Sequence, residues 1–575
     1  MAEPLTSGLW GLACAGNRPV AAEDAAQLHL QRTDGAYSAM GRDGQDPDMV
    51  DTLRDERGTT VFTGWIAERS ALAARLGLSE HCPSAALASA ALARFGADTP
   101  SEMLGEWSLF HRDVEGHTWL VQSATARDRL FFAASATGLA FAPDAMALRR
   151  LDWVDGGLDS EAVGLSLGRY ELRQRMGNRT ILRGIEKLPP GGSLRFAPDG
   201  TLTRHAAELL LPQDQFTGDA AEALAALEEA LRSVLRERLG TVGRSAVLLS
   251  GGLDSSLIAA LAAQELTEPP LALCSVAPLG SGIPDEAEFA RAVAARSVLE
   301  FVPVCPPSDA DPYCPSPHVL AGAEMPLLSN RHCLTSAFHR SAREHGAGIL
   351  VNGTYGEMSV TARLPGNPTL RQRLGVIRRS IAAALQPDQR DFHVALAPHL
   401  RESLTNLRAE TARPSEQIFR APEGKGYIAG TEKALAQPNA YYAGALRMHF
   451  PFRDMRLLRL YASLPRALLY ALGPDRGPGR TIGTGLLPEE IRLRQRGMPA
   501  DPGHYARLQA FAAPARNRIV AFRAAGIDAW IDLAWLDREL ARVAIRGVTD
   551  PTSANAVQLT AMAAEYLTWA QQGMD

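Results

Sequence analysis

The chain has 575 residues, of which 46% are hydrophobic and 21% charged, so it is long enough for two or more domains with complete hydrophobic cores. Its formal net charge of −5, with a pI near 6.3, provides no overall attraction to nucleic acid. No apolar run approaches the roughly 20 residues that span a bilayer, and the start MAEPLTSGLW lacks the basic and apolar regions of a signal peptide. We therefore expect a cytoplasmic globular protein that binds neither nucleic acid nor a membrane.

The cysteines and histidines do not show the spacing of a metal site. There is no CxxC pair and no HExxH motif, and a lone histidine is more often a structural residue than a ligand. The sequence thus predicts neither a transition metal nor a disulfide framework. The six cysteines, which we expect to be reduced, are Cys14, Cys82, Cys274, Cys305, Cys314 and Cys333.

The region from Leu9 to about Leu148 consists of short apolar runs separated by polar turns. Runs such as TTVFTGWIA and RLFFAASATGLAFAPD predict strands, whereas ERSALAARLG and SAALASAALARFG predict helices. The stretch RGIEKLPPGGSLRFAPDGTLTR is rich in proline and glycine and indicates a connector with a hairpin turn at PDG. We place an α+β domain at residues 1–210 and a second domain at 211–575.

The second domain is predicted to open with a long amphipathic helix. In DAAEALAALEEALRSVLRERL, leucine and valine recur on one helical face, and Asp219 can cap the first turn. The helix leads to AVLLSGGLDSSLIAALAAQ, residues 246–264, in which a short apolar run is followed by a helical pattern. The apolar run is typical of a central parallel strand that is buried on both faces.

The turn between that strand and helix has the features of a phosphate site. Gly251 and Gly252 let backbone N–H groups approach an anion, and the dipole of the following helix points the same way. The pattern is neither a Walker A loop nor a dinucleotide fingerprint. It resembles the SGGxDS pyrophosphate loop of enzymes that split ATP into AMP and pyrophosphate. A carboxylate beside a triphosphate needs a cation between them, so we predict that Asp254 is a magnesium ligand.

Further segments resemble the asparagine synthetase family, in the family's order and over nearly the whole chain. They are ARDRLFFAASATGLAFAPDAMAL, TILRGIEKLPPGGSLRF, HFPFRDMRLLRLYASLP and GLLPEEIRLRQRG. The resemblance implies an α/β protein, in which an N-terminal glutaminase-type (Ntn-like) α+β sandwich precedes an ATP-pyrophosphatase domain with a parallel sheet flanked by helices. It implies ATP and Mg²⁺ as cofactors. The ATP-binding residues that it implies are Leu248, Ser250, Gly251, Gly252, Asp254, Ser255, Val276, Asn352, Gly353 and Arg480.

The first domain departs from the glutamine-using members of the family. Those members begin, after removal of methionine, with a cysteine whose amine and thiol hydrolyse glutamine. Here position 2 is Ala2, Ser7 matches the nucleophile, and Thr63 and Gly64 replace the side-chain amide donor for the oxyanion. We therefore expect an inactive glutaminase. Processing that would expose Ser7 as the first residue is the alternative.

The second domain departs in the segment that the family writes SGEGxDE. The chain has NGTYGEM there, so Glu357 falls on the metal-binding aspartate and Thr354 on a catalytic glutamate or tyrosine. We predict that Glu357 is a second magnesium ligand and a catalytic residue. Tyr355, one position further on, is the candidate base, with packing of its ring as the alternative.

Two arginines match lysines of the family. Arg496 resembles the lysine that stabilises the transition state, and Arg480 resembles the lysine that holds pyrophosphate. Exposed surface arginines are the alternative for both. On the second strand, Val276 is expected at the adenine pocket, whereas we expect Glu286 to cap the next helix.

The departures favour a peptide substrate. The NGxYGE variant and the RxRG ending resemble the lasso-peptide cyclases, which close a macrolactam between a side-chain carboxylate and the peptide's own N-terminus. The arginine-bearing region between Ser359 and Tyr441 could cradle such a peptide, or it could form ordinary helices with exposed arginines. We expect a core-peptide substrate and the pathway's leader peptidase as partners. A small-molecule amide synthetase and a non-catalytic nucleotide-binding protein remain open.

Overall fold

A computed structural model describes residues 8–15, 20–28, 30, 37–42, 50–126, 128–168, 170–206, 214–364, 394–409, 435, 446–495 and 500–572. Among these residues, eleven strands precede residue 207. They are β1 (Gly8–Cys14), β2 (Tyr37–Arg42), β3 (Val50–Asp55), β4 (Gly58–Ile66), β5 (Gly105–Asp113), β6 (Thr118–Gln122), β7 (Phe131–Ala134), β8 (Gly138–Ala142), β9 (Glu186–Lys187), β10 (Gly192–Phe196) and β11 (Leu202–Ala206). The helices of the same region are α1 (Ala22–Gln27), α2 (Arg69–Arg75), α3 (Ser84–Phe95), α4 (Thr99–Glu102), α5 (Ala145–Leu148), α6 (Ser160–Leu167) and α7 (Tyr170–Gln174).

Two antiparallel sheets pack face to face in this first region. One has the order β2-β1-β8-β7-β9 and the other β11-β10-β6-β5-β4-β3. Their inner faces share a buried cluster in which Phe110 of β5 stacks on Phe141 of β8, with ring centroids 5.4 Å apart. Helix α3 covers the outer face of the second sheet, and α5 and α6 lie over the first. The predicted α+β sandwich is confirmed, including the turn at Pro198–Gly200 between β10 and β11.

The second region is built around one parallel sheet. Its strands are β12 (Ser245–Leu248), β13 (Leu271–Ser275), β14 (Phe301–Val304), β15 (Ile349–Val351) and β16 (Arg447–His449). Its helices are α8 (Ala220–Leu239), α9 (Leu253–Glu265), α10 (Ala287–Arg296), α11 (Pro317–Ala321), α12 (His332–Glu344), α13 (Pro398–Ala409), α14 (Met455–Ser463), α15 (Arg466–Ala471), α16 (Gly477–Ile482), α17 (Glu489–Arg492), α18 (His504–Asn517), α19 (Ile519–Ala524), α20 (Leu533–Arg546) and α21 (Pro551–Gln572).

The sheet order β14-β13-β12-β15-β16 puts β12 at the centre, and every neighbouring pair is parallel. Helices α8, α9 and α10 cover one face, and α12 covers the other. Both faces are therefore covered at the centre of the sheet, which is why β12, β13 and β15 have largely apolar sequences. The predicted parallel sheet flanked by helices is confirmed.

The start of α8 follows the sequence prediction closely. Asp219 accepts hydrogen bonds from the backbone N–H groups of Ala221 and Glu222, and the Glu222 carboxylate accepts one from the Asp219 N–H. This capping box satisfies N–H groups that have no partner inside the helix.

All six cysteines lie in the described residues and are free thiols. None of the helices in that part of the chain has an apolar stretch that would cross a bilayer.

A candidate ATP site at the carboxyl edge of the parallel sheet

The turn between β12 and α9 is held by two serines. The Ser250 and Ser255 hydroxyls are 3.0 Å apart, and the Ser250 N–H donates to Ser255 Oγ over 3.1 Å. The N–H of Gly252 donates to Ser250 Oγ at 3.3 Å, and α9 begins at the next residue. The turn therefore gathers hydroxyl and N–H groups at the N-terminus of a 13-residue helix, where an anion is favoured.

Glycine is required at the centre of this turn. Gly251 has φ of +69°, a region that side chains disfavour. A Cβ there would lie 2.7 Å from Cβ of Phe289 and 3.0 Å from the backbone nitrogen of Ala290 on α10. The turn thus packs directly against the next helix.

A cavity of about 590 Å³ opens at this edge of the sheet, where the carboxyl ends of β12, β13, β15 and β16 meet. Its volume is in the range that small-molecule and cofactor sites occupy. Eight of the residues predicted to form the site line it: Leu248, Ser250, Gly252, Asp254, Ser255, Asn352, Gly353 and Glu357.

Two carboxylates face this cavity. Asp254 is in the first turn of α9, and Oδ1 of its side chain is buried near the Thr361 side chain. Burial raises the pKa of Asp254, although Arg476 and Arg363 act in the opposite direction. Burial also raises the pKa of Glu357, and the charge of Asp254 raises it further. A nearby cation would favour the charged form of both carboxylates.

The donor set fits Mg²⁺, which prefers carboxylate oxygens together with phosphate and water. A Cβ added at Gly356 would lie 2.6 Å from Oδ1 of Asp254, so any larger residue would intrude on that oxygen. We conclude that Asp254 and Glu357 are the residues that would hold the ion.

The loop after β15 packs on the start of α9. Asn352 Oδ1 accepts hydrogen bonds from the N–H of Thr354 at 3.0 Å and from its hydroxyl at 2.7 Å, which fixes a tight turn. A Cβ at Gly353 would lie 2.9 Å from the backbone nitrogen of Ser255. The two loops are therefore in backbone contact, which brings Glu357 to the same cavity as Asp254.

Tyr355 is not among the residues that line the cavity. Its ring makes an edge contact with Phe450, with centroids 5.5 Å apart, and the Arg453 guanidinium lies 5.7 Å from its centroid. Its φ of +78° is rare for a side-chain-bearing residue and turns the chain between Thr354 and Glu357. These contacts agree with the packing role, and the catalytic role stays a prediction.

Val276 and Arg480, like Gly251, are not among the residues that line the cavity. Val276 is half-buried, and its N–H donates to the Val304 carbonyl. Arg480 is on α16, where its Nη2 is 3.0 Å from an oxygen of Asp475. Arg496 lies outside the described residues, so its role, like that of Arg480, remains a prediction.

The expectation that Glu286 caps α10 is wrong. Glu286 occupies the N-cap position, but its side chain makes no capping hydrogen bond. Asp285 accepts from the N–H of Ala287 instead, at 3.0 Å. Glu286 lines the cavity, and its carboxylate pairs with Arg494.

Sequence reasoning missed several residues of the cavity. Arg331, at the start of α12, supplies a cation, and Ser275, Met448 and Phe450 stand at or next to the ends of their strands. The strand-end positions could have been found, because ligands bind at the carboxyl edge of parallel sheets. Arg331 carried no comparable signal.

The first region offers little for glutamine hydrolysis among its described residues. Ser7 lies outside them. Thr63 is buried on β4, and Gly64 follows it, so neither position carries a side-chain amide. A Cβ at Gly64 would lie 2.1 Å from the Glu106 carbonyl oxygen, so the backbone leaves no space there for a side chain.

A family model described as asparagine synthase matches residues 226–412. One solved structure, titled as the allosteric regulatory enzyme of purine biosynthesis, is 10% identical and aligns over 65% of this chain and 73% of its own, with a TM-score of 0.23. A second, a glutamine phosphoribosylpyrophosphate amidotransferase from B. subtilis complexed with ADP and GMP, is 10% identical over 60% and 69%, with a TM-score of 0.23. No curated protein matches this sequence. At this level of similarity, the two structures carry no functional argument.

Proposed function

Because residues 226–412 match the asparagine synthase family model, whose members form amide bonds with ATP, we propose that the protein is a macrolactam synthetase of the lasso-peptide cyclase type. Its substrate would be a core peptide with a free N-terminus. The enzyme would join that amine to the side-chain carboxylate of an aspartate or glutamate in the same peptide.

The proposed reaction has two steps. A carboxylate oxygen of the peptide attacks the α-phosphorus of ATP, and pyrophosphate leaves, which gives an acyl adenylate. The N-terminal amine then attacks the acyl carbon, AMP leaves with the carboxylate-derived oxygen, and the amine loses a proton. The peptide loses one water in total. The site must hold the amine close to the acyl carbon, which is a positioning task that lowers the entropic barrier.

The single observation that carries this proposal is the meeting of the SGG turn and two carboxylates at one cavity. The Ser250 and Ser255 hydroxyls and the N–H groups of the first turn of α9 would bind phosphate oxygens, and Asp254 and Glu357 would supply the oxygens for a divalent cation. When bound, Mg²⁺ would neutralise the phosphate charge and favour departure of pyrophosphate. A non-catalytic protein would not need this complete set.

The choice of a peptide amine rests on the first domain and on the loop after β15. The match of Ser7 to the nucleophile and the absence of a side-chain amide at Thr63 and Gly64 argue against ammonia from glutamine. The NGTYGEM segment resembles the lasso-peptide cyclases rather than the ammonia-using enzymes. Most of the region between Ser359 and Tyr441 lies outside the described residues, so the peptide cradle remains a prediction.

The proposal implies a cytoplasmic partner, a peptidase that frees the N-terminus of the core peptide. The competing function is a small-molecule amide synthetase of the β-lactam or ammonia-using type. Such an enzyme would use the same cavity and metal ligands, so the two functions differ only in the substrate that supports AMP formation.

The test is mass spectrometry of the purified protein with ATP, Mg²⁺ and a leader-free peptide from a short reading frame beside the gene. Aspartate with ammonium is tested in parallel. We expect AMP together with loss of one water from the peptide. AMP only with the small acid would establish the competing function, and AMP in neither reaction would count against both when several neighbouring peptides have been tried.

A further inference from the structure

Arg494 contacts the turn at Ser250–Gly252, called the phosphate loop below, without itself lining the cavity. Its guanidinium Nη1 donates to the carbonyl oxygen of Gly251 at 3.1 Å, and Nη2 donates to the Glu286 carboxylate. The guanidinium carbon also lies 4.0 Å from the centroid of the Phe289 ring. Arg494 and Glu286 are both largely buried, with side-chain exposures of 14% and 15%. The contacts therefore hold Arg494 on three sides.

The hydrogen bond to Gly251 fixes the direction of a peptide group. In a trans peptide, the carbonyl of one residue and the N–H of the next point in opposite directions. Because the Gly251 carbonyl faces Arg494, the Gly252 N–H is directed away from it, toward Ser250 Oγ. Ser250 and Gly252 both line the cavity, whereas Arg494 is not among the lining residues. Arg494 therefore influences the cavity by fixing the conformation of the loop that lines it.

Glu286 fixes the arginine in turn. It lines the cavity at the N-terminus of α10, and its pairing with Arg494 joins positions 208 apart in the sequence. The same helix carries Phe289, against which Gly251 packs. An arginine fork can bond a carboxylate and a carbonyl at once in a fixed plane, which a lysine cannot reproduce.

We propose that Arg494, held by Glu286, is a positioning residue that sets the affinity of the phosphate loop for ATP and pyrophosphate. This inference rests on the proposed function, because it assigns the loop to the phosphates of ATP. It adds residues outside the SGGLDSS stretch to the determinants of phosphate binding.

The experiment measures binding of ATP with Mg²⁺, and of inorganic pyrophosphate with Mg²⁺, by calorimetric titration of the full chain. The variants are Arg494→Ala, Arg494→Lys, Glu286→Gln and the double variant Glu286→Gln/Arg494→Ala. Arg516→Ala is the matched control, because Arg516 also pairs with a carboxylate, that of Asp537, but on an exposed surface. Circular dichroism of each variant establishes that it is folded.

We expect Arg494→Ala to weaken pyrophosphate binding at least tenfold, since a charge-assisted hydrogen bond is lost. Arg494→Lys should restore only part of the affinity, and Glu286→Gln should weaken binding less than Arg494→Ala. The double variant should bind as Arg494→Ala does, because Glu286 acts through the arginine. If the Arg494–Glu286 pair only stabilised the fold, the variants would lower the melting temperature without this order of affinity losses. If Arg494→Ala does not fold, Arg494→Lys and Glu286→Gln carry the test.

Two results would overturn the assignment while leaving the proposed function intact. One is wild-type pyrophosphate affinity in the Arg494 and Glu286 variants. The other is additive losses in the double variant. Wild-type protein that binds neither ATP nor pyrophosphate would instead overturn the proposed function and this inference with it.

Discussion

Asp254 and Glu357 have raised pKa values because burial disfavours their charged forms, and the negative charge of Asp254 adds to the effect on Glu357. Neither carboxylate has a basic side chain as a close ion-pair partner in the described residues. A bound divalent cation would supply the positive charge that no basic side chain provides at close range. We therefore expect the proposed function to depend on both residues.

Replacement of Asp254 by Asn keeps the shape of the side chain and removes its charge. We expect pyrophosphate release to fall by at least a hundredfold, because a metal ligand and its charge are lost. The measurement is a coupled pyrophosphate assay over a range of Mg²⁺ concentrations. Asp537→Asn, which affects only an exposed ion pair, is the control. Undiminished release by Asp254→Asn would show that Asp254 is not a metal ligand.

Tyr355→Phe distinguishes the two roles that the sequence left open for this tyrosine. The contacts of the ring with Phe450 and Arg453 survive the change, so we expect protein stability and the rate of AMP formation to stay within about twofold of wild type. Initial rates at saturating ATP and peptide provide the measurement. A loss of a hundredfold or more would identify the hydroxyl as the base.

The sequence motif and the family resemblance singled out the SGG turn and both carboxylates, and the structure brings them to one cavity. Neither could identify the contact between Glu286 and Arg494, which joins two helical regions across the fold. The Glu286 prediction failed for the same reason. Asp285 and Glu286 both precede α10, and only the tertiary structure shows that Asp285 caps the helix while Glu286 turns to Arg494.

Strands β5 and β16 belong to different sheets and are joined by one buried carboxylate. Glu106 of β5 accepts from Nδ1 of His449 on β16 at 2.8 Å and pairs with Arg238 of α8 at 3.2 Å. Met448 and Phe450, on either side of His449, line the cavity. A residue of the first domain thus supports the cavity wall of the second.

Glu106→Gln should destabilise the protein by about 3 kcal/mol near neutral pH, because it leaves buried Arg238 without its counter-charge. Burial alone would raise the pKa of Glu106, but His449, Arg238 and Arg453 outweigh burial and hold the pKa well below its usual value. A carboxylate whose pKa is lowered by folding stabilises the folded protein at pH values above its pKa in the unfolded chain, about 4.3. That stabilisation is lost as the pH falls toward the lower pKa of the folded protein.

The measurement is urea unfolding of wild type and Glu106→Gln between pH 8 and the acid limit of solubility. The difference in unfolding free energy should be constant from neutral pH downward and narrow only below about pH 4. Glu115→Gln, a change at an exposed position of the same domain, should cost nothing measurable. A constant difference through the acid range would refute the ionic explanation.

The elements themselves were largely predictable. The apolar run before SGG, the cap at Asp219 and the turn at Pro198–Gly200 are local signals, and each gave the element found. The arrangement of the strands was not. Nothing local to β5 or β16 indicates that Glu106 meets His449, because their pairing depends on how the two regions pack.

The whole chain should not hydrolyse glutamine. Thr63 and Gly64 provide no side-chain amide for an oxyanion, and a serine, Ser7, matches the position of the cysteine nucleophile of the glutamine-using enzymes. We expect no glutamate above background when the protein is incubated with glutamine, ATP and peptide, measured by an enzyme-coupled glutamate assay. A glutamine-using amidotransferase serves as the positive control. Glutamate formation in step with AMP would overturn the expectation of an inactive glutaminase.

One hydrophobic cluster extends across both halves of the molecule. It includes Trp10 and Leu12 of β1, side chains of α6, and the inner faces of the C-terminal helices α18, α20 and α21. Removal of the first 210 residues would expose this apolar surface to water. The N-terminal half is therefore part of the folding unit, whatever chemistry it performs. We expect substitutions at Thr63 and Gly64 to be tolerated better than deletion of this half, because deletion alone removes the shared core.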